Sequence, residues 1–378
     1  MHILPNSEDL FSWIVFILFC TFSFIQLFWV VFFYLRLALH REPATLPINL
    51  SPVTVVIAAR NEEDNLFHLL PKILNQDYPE FEVIVVNHQS SDDSSHILKA
   101  FQRQYPHLKV IELERSKHLR NGKKLPLTIA IKGAKYEHLV LTDADCEPNS
   151  NEWLKHMAGK FTEKKEIILG YGPYKKDRGL LNRLVRLDTV MIGANYLSFA
   201  KAGAPYMGVG RNLGYTRSLF LSVNGFKSHY SLQSGDDDLF IQEAAKRGNF
   251  TICIHPDSFA YSESKNTWSD WYKQKSRHFT TTEYYGVIKK LLLGIYPLSL
   301  LLFYTSFFTL FIHHQLCWLS IGIFSFITLL KWSVQGRIMV KLKEKNLVWA
   351  FPFWDVLYAI LAPILFYTTE KSTQNQWK

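Results

Sequence analysis

The sequence predicts an α/β domain with a doubly wound, largely parallel sheet, set between transmembrane helices. Three observations predict it. Residues 50–265 alternate short β-branched runs with helical stretches, residues 10–35 carry no charge, and after Lys290 the chain turns apolar again.

The strands are "VTVVIAA" (Val53 to Ala59), "FEVIVVN" (Phe81 to Asn87), "KVIEL" (Lys109 to Leu113) and "HLVLTD" (His138 to Asp143). Between them lie "EEDNLFHLLPKILNQ", "DDSSHILKAFQRQY" and "KKLPLTIAIKGAK", whose apolar residues suit helices. Strands alternating with helices imply parallel pairing, and ligands of such sheets bind outside the carboxyl ends of the strands. Asn61, Asn87 and Asp143 follow or end strands there.

After a short tail, 1–9, the run "LFSWIVFILFCTFSFIQLFWVVFFYL" (10–35) exceeds the roughly 30 Å hydrocarbon core of a bilayer at about 1.5 Å per helical residue. It lacks the positive n-region and small-residue cleavage site of a signal peptide, so it is expected to stay attached. A C-terminal region, 291–367, divides into runs at 291–312, 316–330 and 347–367, about three further spans, the middle one short. Arg36 and Arg41 follow the first run. The loop expected from Lys331 to Lys345 holds Lys331, Arg337, Lys341, Lys343 and Lys345 against Glu344. The positive-inside rule puts both on the cytoplasmic side, giving a multi-pass protein of the inner, cytoplasmic membrane with its α/β domain in the cytoplasm.

These juxtamembrane residues account for a formal net charge of +9 and favour anionic lipid. No nucleic-acid-binding motif accompanies the charge, and no nucleic-acid partner is expected. Of the four cysteines, Cys20 and Cys317 fall in or beside apolar runs and Cys146 and Cys253 in the α/β domain, so all are expected reduced.

The motifs come in a telling order: "VVIAARNEEDNL", "VIVVNHQSSDDS", "NGKKLPLTIAI", "LTDADCEP", "GVGRNLGYTRSLFLSVNGF", "GDDDLFIQEAAKRG" and "QKSRH". Any one is weak, but together, from Val53 to Phe279, they resemble the inverting family 2 glycosyltransferases. That resemblance implies a GT-A fold, a Rossmann-like nucleotide-sugar-binding domain. It further implies transfer of a sugar from a nucleotide donor to an acceptor hydroxyl with a divalent cation, magnesium or manganese.

An isolated "DAD" reads as well as an Asp-rich turn closed by Pro148. In the family the motif serves a departing diphosphate, whose charge a hard cation on carboxylates offsets. The resemblance makes Asp145 a metal ligand, and Asp143 a nucleotide contact and second ligand. Lys123, at a helix start, is a solvated lysine or a nucleotide contact. Asn61 reads as an N-cap. The turn after the first strand makes Ala58, Arg60 and Glu62 candidates for holding base and ribose. Asn87 and His88 join them, His88 standing where the family commonly has an aspartate that contacts uracil. A UDP-sugar is the first donor to consider, with His88 the reason not to assume it.

"GDDDL" supplies the candidate general base, which must reach the attacking hydroxyl. Asp-x-x-Leu spacing favours Asp236; reading "DD" for the family's usual Glu-Asp favours Asp237. Gly208, Gly210, Arg211 and Asn212 resemble the acceptor-side loop. In "TWSDWYKQKSRHFTTTEYYG" (267–286) the mixture of aromatic and basic residues suits an interfacial segment, 266–286. Its Gln274, Arg277 and His278 resemble the Gln-x-x-Arg-Trp motif that faces acceptor or diphosphate, with histidine replacing the stacking tryptophan. Asp355, ionisable inside an apolar run, is a functional candidate by position.

The function implied is transfer of a sugar to a lipid-linked or envelope-glycan acceptor at the cytoplasmic membrane face. Processive polysaccharide synthesis and a non-catalytic nucleotide-sugar-binding role are the alternatives.

Overall fold

The computed structural model describes residues 9–43, 49–114, 122–313 and 317–368, with side chains described as far as 361. Of the expected tail 1–9, only Asp9 lies within them. The chain forms two compact units, one built on Arg41–Tyr284, the other on Met1–His40 together with Tyr285–Glu370.

The first unit is built on a seven-stranded sheet. Its strands are β1 (Val53–Ala59), β2 (Phe81–His88), β3 (Leu108–Leu113), β4 (His138–Asp143), β6 (Ile167–Leu169), β7 (Leu213–Thr216) and β8 (Phe250–Ile252); β5 (Glu147–Pro148) and β9 (Ala260–Tyr261) pair separately. The order is β3-β2-β1-β4-β7-β6-β8. The first four are parallel, as expected, but β7 runs antiparallel to both β4 and β6. β6 and β8 pair parallel again, so the sheet is largely parallel, as expected, and mixed through the single reversed strand β7. β6, β7 and β8 have three or four residues each, too short to show a period of two.

Every residue of β1 is buried, as in sheets covered on both faces. The helix Glu63–Leu74 covers one face with Leu66, Leu69, Leu70, Ile73 and Leu74, the i, i+3, i+4, i+7 stripe of an amphipathic helix. Trp153, Leu154 and Met157 join Val53, Val55 and Val140 in the core.

In the second unit, three helices among the described residues are long and apolar enough to cross a membrane: Leu10–Ala38, Val287–Ile312 and Trp318–Lys341. The expected short span 316–330 is thus the first half of a longer helix. Lys331, expected in a loop, is inside it and 1% exposed. A further helix, Phe351–Thr368, follows with 18 residues. Its Asp355 accepts hydrogen bonds from Lys331 Nζ (2.6 Å) and from the Tyr304 hydroxyl (2.8 Å). Lys331 also donates to Gln26 Oε1 (3.0 Å), and Gln26 Nε2 to Ser299 Oγ (2.8 Å). One buried polar network therefore joins all of these helices, and Asp355 is absorbed by it.

Candidate active site

Strand register gathers the site. Ala58 of β1 stands opposite Asp143 of β4, and Ala59 opposite Asn87 of β2, so the polar strand ends share one edge.

Asp143 is ion-paired with Lys123, whose Nζ also lies 3.6 Å from Asp236 Oδ2. Burial works to lower the Lys123 ammonium, but Asp143 and Asp236 more than reverse it, holding lysine charged above its ordinary value. The positive partner of the first "DAD" carboxylate is this lysine. A Cβ at Gly210 would lie 3.3 Å from both Asp236 Oδ2 and Lys123 Nζ. Glycine there leaves that approach open.

The three aspartates of "GDDDL" divide their work. Asp238 is buried at the helix start, with Leu239 N–H (2.8 Å) and the Thr281 hydroxyl donating to it. Asp237 accepts from Asp238 N–H (2.8 Å) on one oxygen and from Gly210 N–H (3.0 Å) on the other. Burial, then Asp236 and Asp238, push its carboxyl up to about 7. Asp236 faces Lys123 at the longer distance given above. Lys124 sets the approach to this segment: its Nζ donates to the carbonyls of His229 (2.6 Å), Leu232 (3.0 Å) and Ser234 (2.7 Å). Burial brings its ammonium down to about 8. Sequence reasoning passed over Lys124, which looks like Lys123 until the fold turns one toward carboxylates and the other toward carbonyls.

On the expected nucleotide side, the turns after β1 and β2 are laced together. Asn61 is not an N-cap: with φ 51° it accepts from Ser91 N–H (2.8 Å) and donates its own N–H to Ser90 Oγ (2.9 Å). Asparagine tolerates that left-handed backbone. Glu62 N–H donates to Ser94 Oγ (3.2 Å), and Asn65 Nδ2 to Glu62 Oε2 (2.6 Å). Asn87 is buried, donating to Ser95 Oγ (2.9 Å) and Glu112 Oε2 (2.8 Å) while accepting from Ser90. Its amide organises the turn. His88 is fully buried; burial, then nearby Arg60, bring its imidazole down to about 4, so it is neutral.

On the expected acceptor side, Asn212 is 0% exposed. It donates to the carbonyls of Tyr171 and Ser258 (2.8 Å each) and accepts from Trp153 Nε1 (3.1 Å). It therefore holds the loop. Gly208 packs against Leu213 and Leu169. Arg211 lies over the Tyr174 ring at 4.5 Å and donates to Ser262 Oγ (3.1 Å). Gln274, on the helix Trp268–Phe279, donates to the hydroxyl of the same tyrosine (3.0 Å). Tyr174 thus links two motifs and was missed. The signal was the "GYG" before it, since a Cβ at Gly172 would fall 2.4 Å from Arg211 Nε. Arg277 and His278 are exposed.

Oxygens of Asp143 and Asp145 and the sulfur of Cys146 lie within 4.8 Å of one another. Burial, then the two aspartates, push the Cys146 thiol well up. It stays protonated, leaving a pair of carboxylates suited to a hard divalent cation. A second grouping, His156, His255 and Asp257, stacks its imidazoles at 3.9 Å and 10°. Ring lone pairs in near-parallel planes do not converge on one ion.

Residues 54–221 match the family model described as Glycosyl transferase family 2, and residues 139–368 the one described as Glycosyl transferase family group 2. The chain is 24% identical over 259 residues to the probable glycosyltransferase YdaM of Bacillus subtilis, covering 66% of this chain and 59% of that protein. It is 32% identical over 115 residues to the beta-monoglucosyldiacylglycerol synthase of Trichormus variabilis, covering 30% and 24%. It thus spans less than two thirds of either relative. Among solved structures, the mannosyltransferase PcManGT from Pyrobaculum calidifontis, in complex with GDP-Man and Mn2+, has a similar fold. Its TM-score is 0.56 at 18% identity, over 89% of this chain and 98% of that one.

Proposed function

The chain belongs to glycosyltransferase family 2, and from that premise we propose that it is a membrane-held inverting transferase. It moves one sugar from a nucleotide-sugar donor, a UDP-sugar first, to a lipid-linked or envelope-glycan acceptor at the cytoplasmic membrane face. The observation that carries the reading is the line Asp143–Lys123–Asp236 at the open edge beside Gly210.

Asp236 acts as general base. It takes the proton of the acceptor hydroxyl as that oxygen bonds to the anomeric carbon, and the carbon's bond to the nucleotide diphosphate breaks with inversion. Asp237 positions the Gly210 loop, since both its oxygens accept backbone N–H groups. Asp143 and Asp145 would hold magnesium or manganese, which when bound offsets charge on the departing diphosphate. Lys123 adds a fixed positive charge beside them. Arg60, Glu62 and His88 line the nucleotide side, with neutral His88 exerting no charge on the base. Arg211, Gln274, Arg277 and His278 serve the acceptor or diphosphate.

A lipid acceptor is supported by likeness to a synthase named for a glucosylated diacylglycerol. Single transfer is supported by the exposed His278, which grips a sugar face less well than a tryptophan. The test is a donor screen on the purified chain with a lipid extract, reading nucleotide diphosphate release and product mass. One or very few added sugars are expected; a ladder of long products would favour a processive synthase.

A further inference from the structure

The helical unit carries a groove that the transfer reaction does not use. Leu329, Trp332, Ser333, Gly336, Arg337, Val340 and Lys341 line it from one face of the helix Trp318–Lys341. Ala38 and Val348 form the rest of its wall, and its volume is about 680 Å³. That volume falls within the roughly 300–1,000 Å³ of small-molecule sites. A Cβ at Gly336 would lie 3.0 Å from Val348 Cγ1, so the glycine allows the two walls to meet closely.

The lining is apolar save at one end. Trp332 spends its indole N–H on the Val348 carbonyl (2.8 Å) and presents its ring. Arg337, one turn farther on, is exposed and has no hydrogen-bond or ion-pair partner among the described residues. Lys341 follows on the same face, donating to the His40 carbonyl. Lys343 and Lys345 are exposed just beyond, whereas Glu344, the acid of this stretch, is buried. Exposed Trp332 and Trp349 beside these cations are the residues that mark a membrane–water interface. The apolar lining therefore continues into positive charge at one end.

We propose that this groove binds one anionic glycerophospholipid, its acyl chain along Leu329, Trp332 and Val340 and its phosphate at Arg337. The complement is chemical: an unpaired guanidinium offers paired N–H donors to a phosphate, and the walls suit a hydrocarbon chain. The inference rests on reading these helices as membrane spans, and is separate from the choice of acceptor.

The test is native mass spectrometry of the full chain released from nanodiscs of equal phosphatidylglycerol and phosphatidylcholine. One retained phosphatidylglycerol is expected, with a preference of about fivefold that Arg337→Gln removes. Ser333→Phe, which fills the groove without touching charge, should expel the lipid as well. Lys99→Gln, the same charge loss on an exposed site of the sheet domain, should leave retention unchanged. Equal retention of both lipids, or a preference that survives Arg337→Gln, overturns the groove assignment alone. A chain that stays soluble without detergent or lipid overturns the membrane reading with it.

Discussion

Lys123 Nζ lies 3.6 Å from Asp236 Oδ2 while the same ammonium is paired with Asp143. One cation thereby ties the strand-end carboxylate to the candidate base. The arrangement sets a positive charge beside Asp236.

The cation-binding reading depends on Asp145, a half-buried side chain just past β4. Asp145→Ala should abolish transfer while the melting temperature of the folded chain stays close to that of the parent, because little core packing is lost. Chelator should reproduce the loss in the parent, and added manganese or magnesium should reverse it. Undiminished turnover of Asp145→Ala in chelator would remove the metal from the scheme.

Neutral His88 makes a prediction about acid stability. Its imidazole is brought from 6.5 to about 4 by burial and Arg60. Between those values the unfolded chain takes up a proton that the folded chain refuses. The stabilisation is therefore full above pH 6.5 and is lost as pH falls toward 4, by roughly 3 kcal/mol. His88→Gln should flatten the acid limb of a melting-temperature profile; an unchanged limb would place the acid sensitivity elsewhere.

The Lys331–Asp355 pair should behave as a unit. Removing one partner of a buried pair costs about 3–5 kcal/mol, because the other charge is left without its counter-ion, whereas replacing both with apolar residues costs far less. Lys331→Leu and Asp355→Leu should each lower thermal stability in detergent, and the double variant should recover most of it. Losses that simply add would show that the two residues are not coupled.

Orientation follows from Arg36, Arg41, Arg337, Lys341, Lys343 and Lys345 once Lys331 is withdrawn from the count. Cysteines engineered at 315 and near the C-terminus should react with an impermeant thiol reagent on intact cells, and one at 343 should not. The reverse pattern would put the sheet domain on the side away from cytoplasmic nucleotide sugars.

Much of this could be read from the chain because burial on both faces leaves a mark. β1 and β4 begin and end where their β-branched runs do, and the carboxylates of β4 follow directly. Other features had no such mark. A strand of three residues, such as β6, shows no alternation. Asn87 and Asn212 look like ligand contacts because a polar residue at a strand end reads the same whether it faces a ligand or ties a turn. Lys331 closes an apolar run in sequence, and only its partner 24 residues later shows that the helix continues through it. Tyr174 gains its place from Arg211 and Gln274, both distant in sequence.

The most direct test of the account compares Asp236→Asn with the parent, measuring nucleotide-diphosphate release and nucleotide binding side by side on the purified chain. Asparagine keeps the shape and removes the basicity. Transfer should fall by about two to four powers of ten, as for loss of a general base, while nucleotide binding persists. Full transfer by Asp236→Asn, with the loss appearing instead in Asp237→Asn, would contradict the assignment of the base.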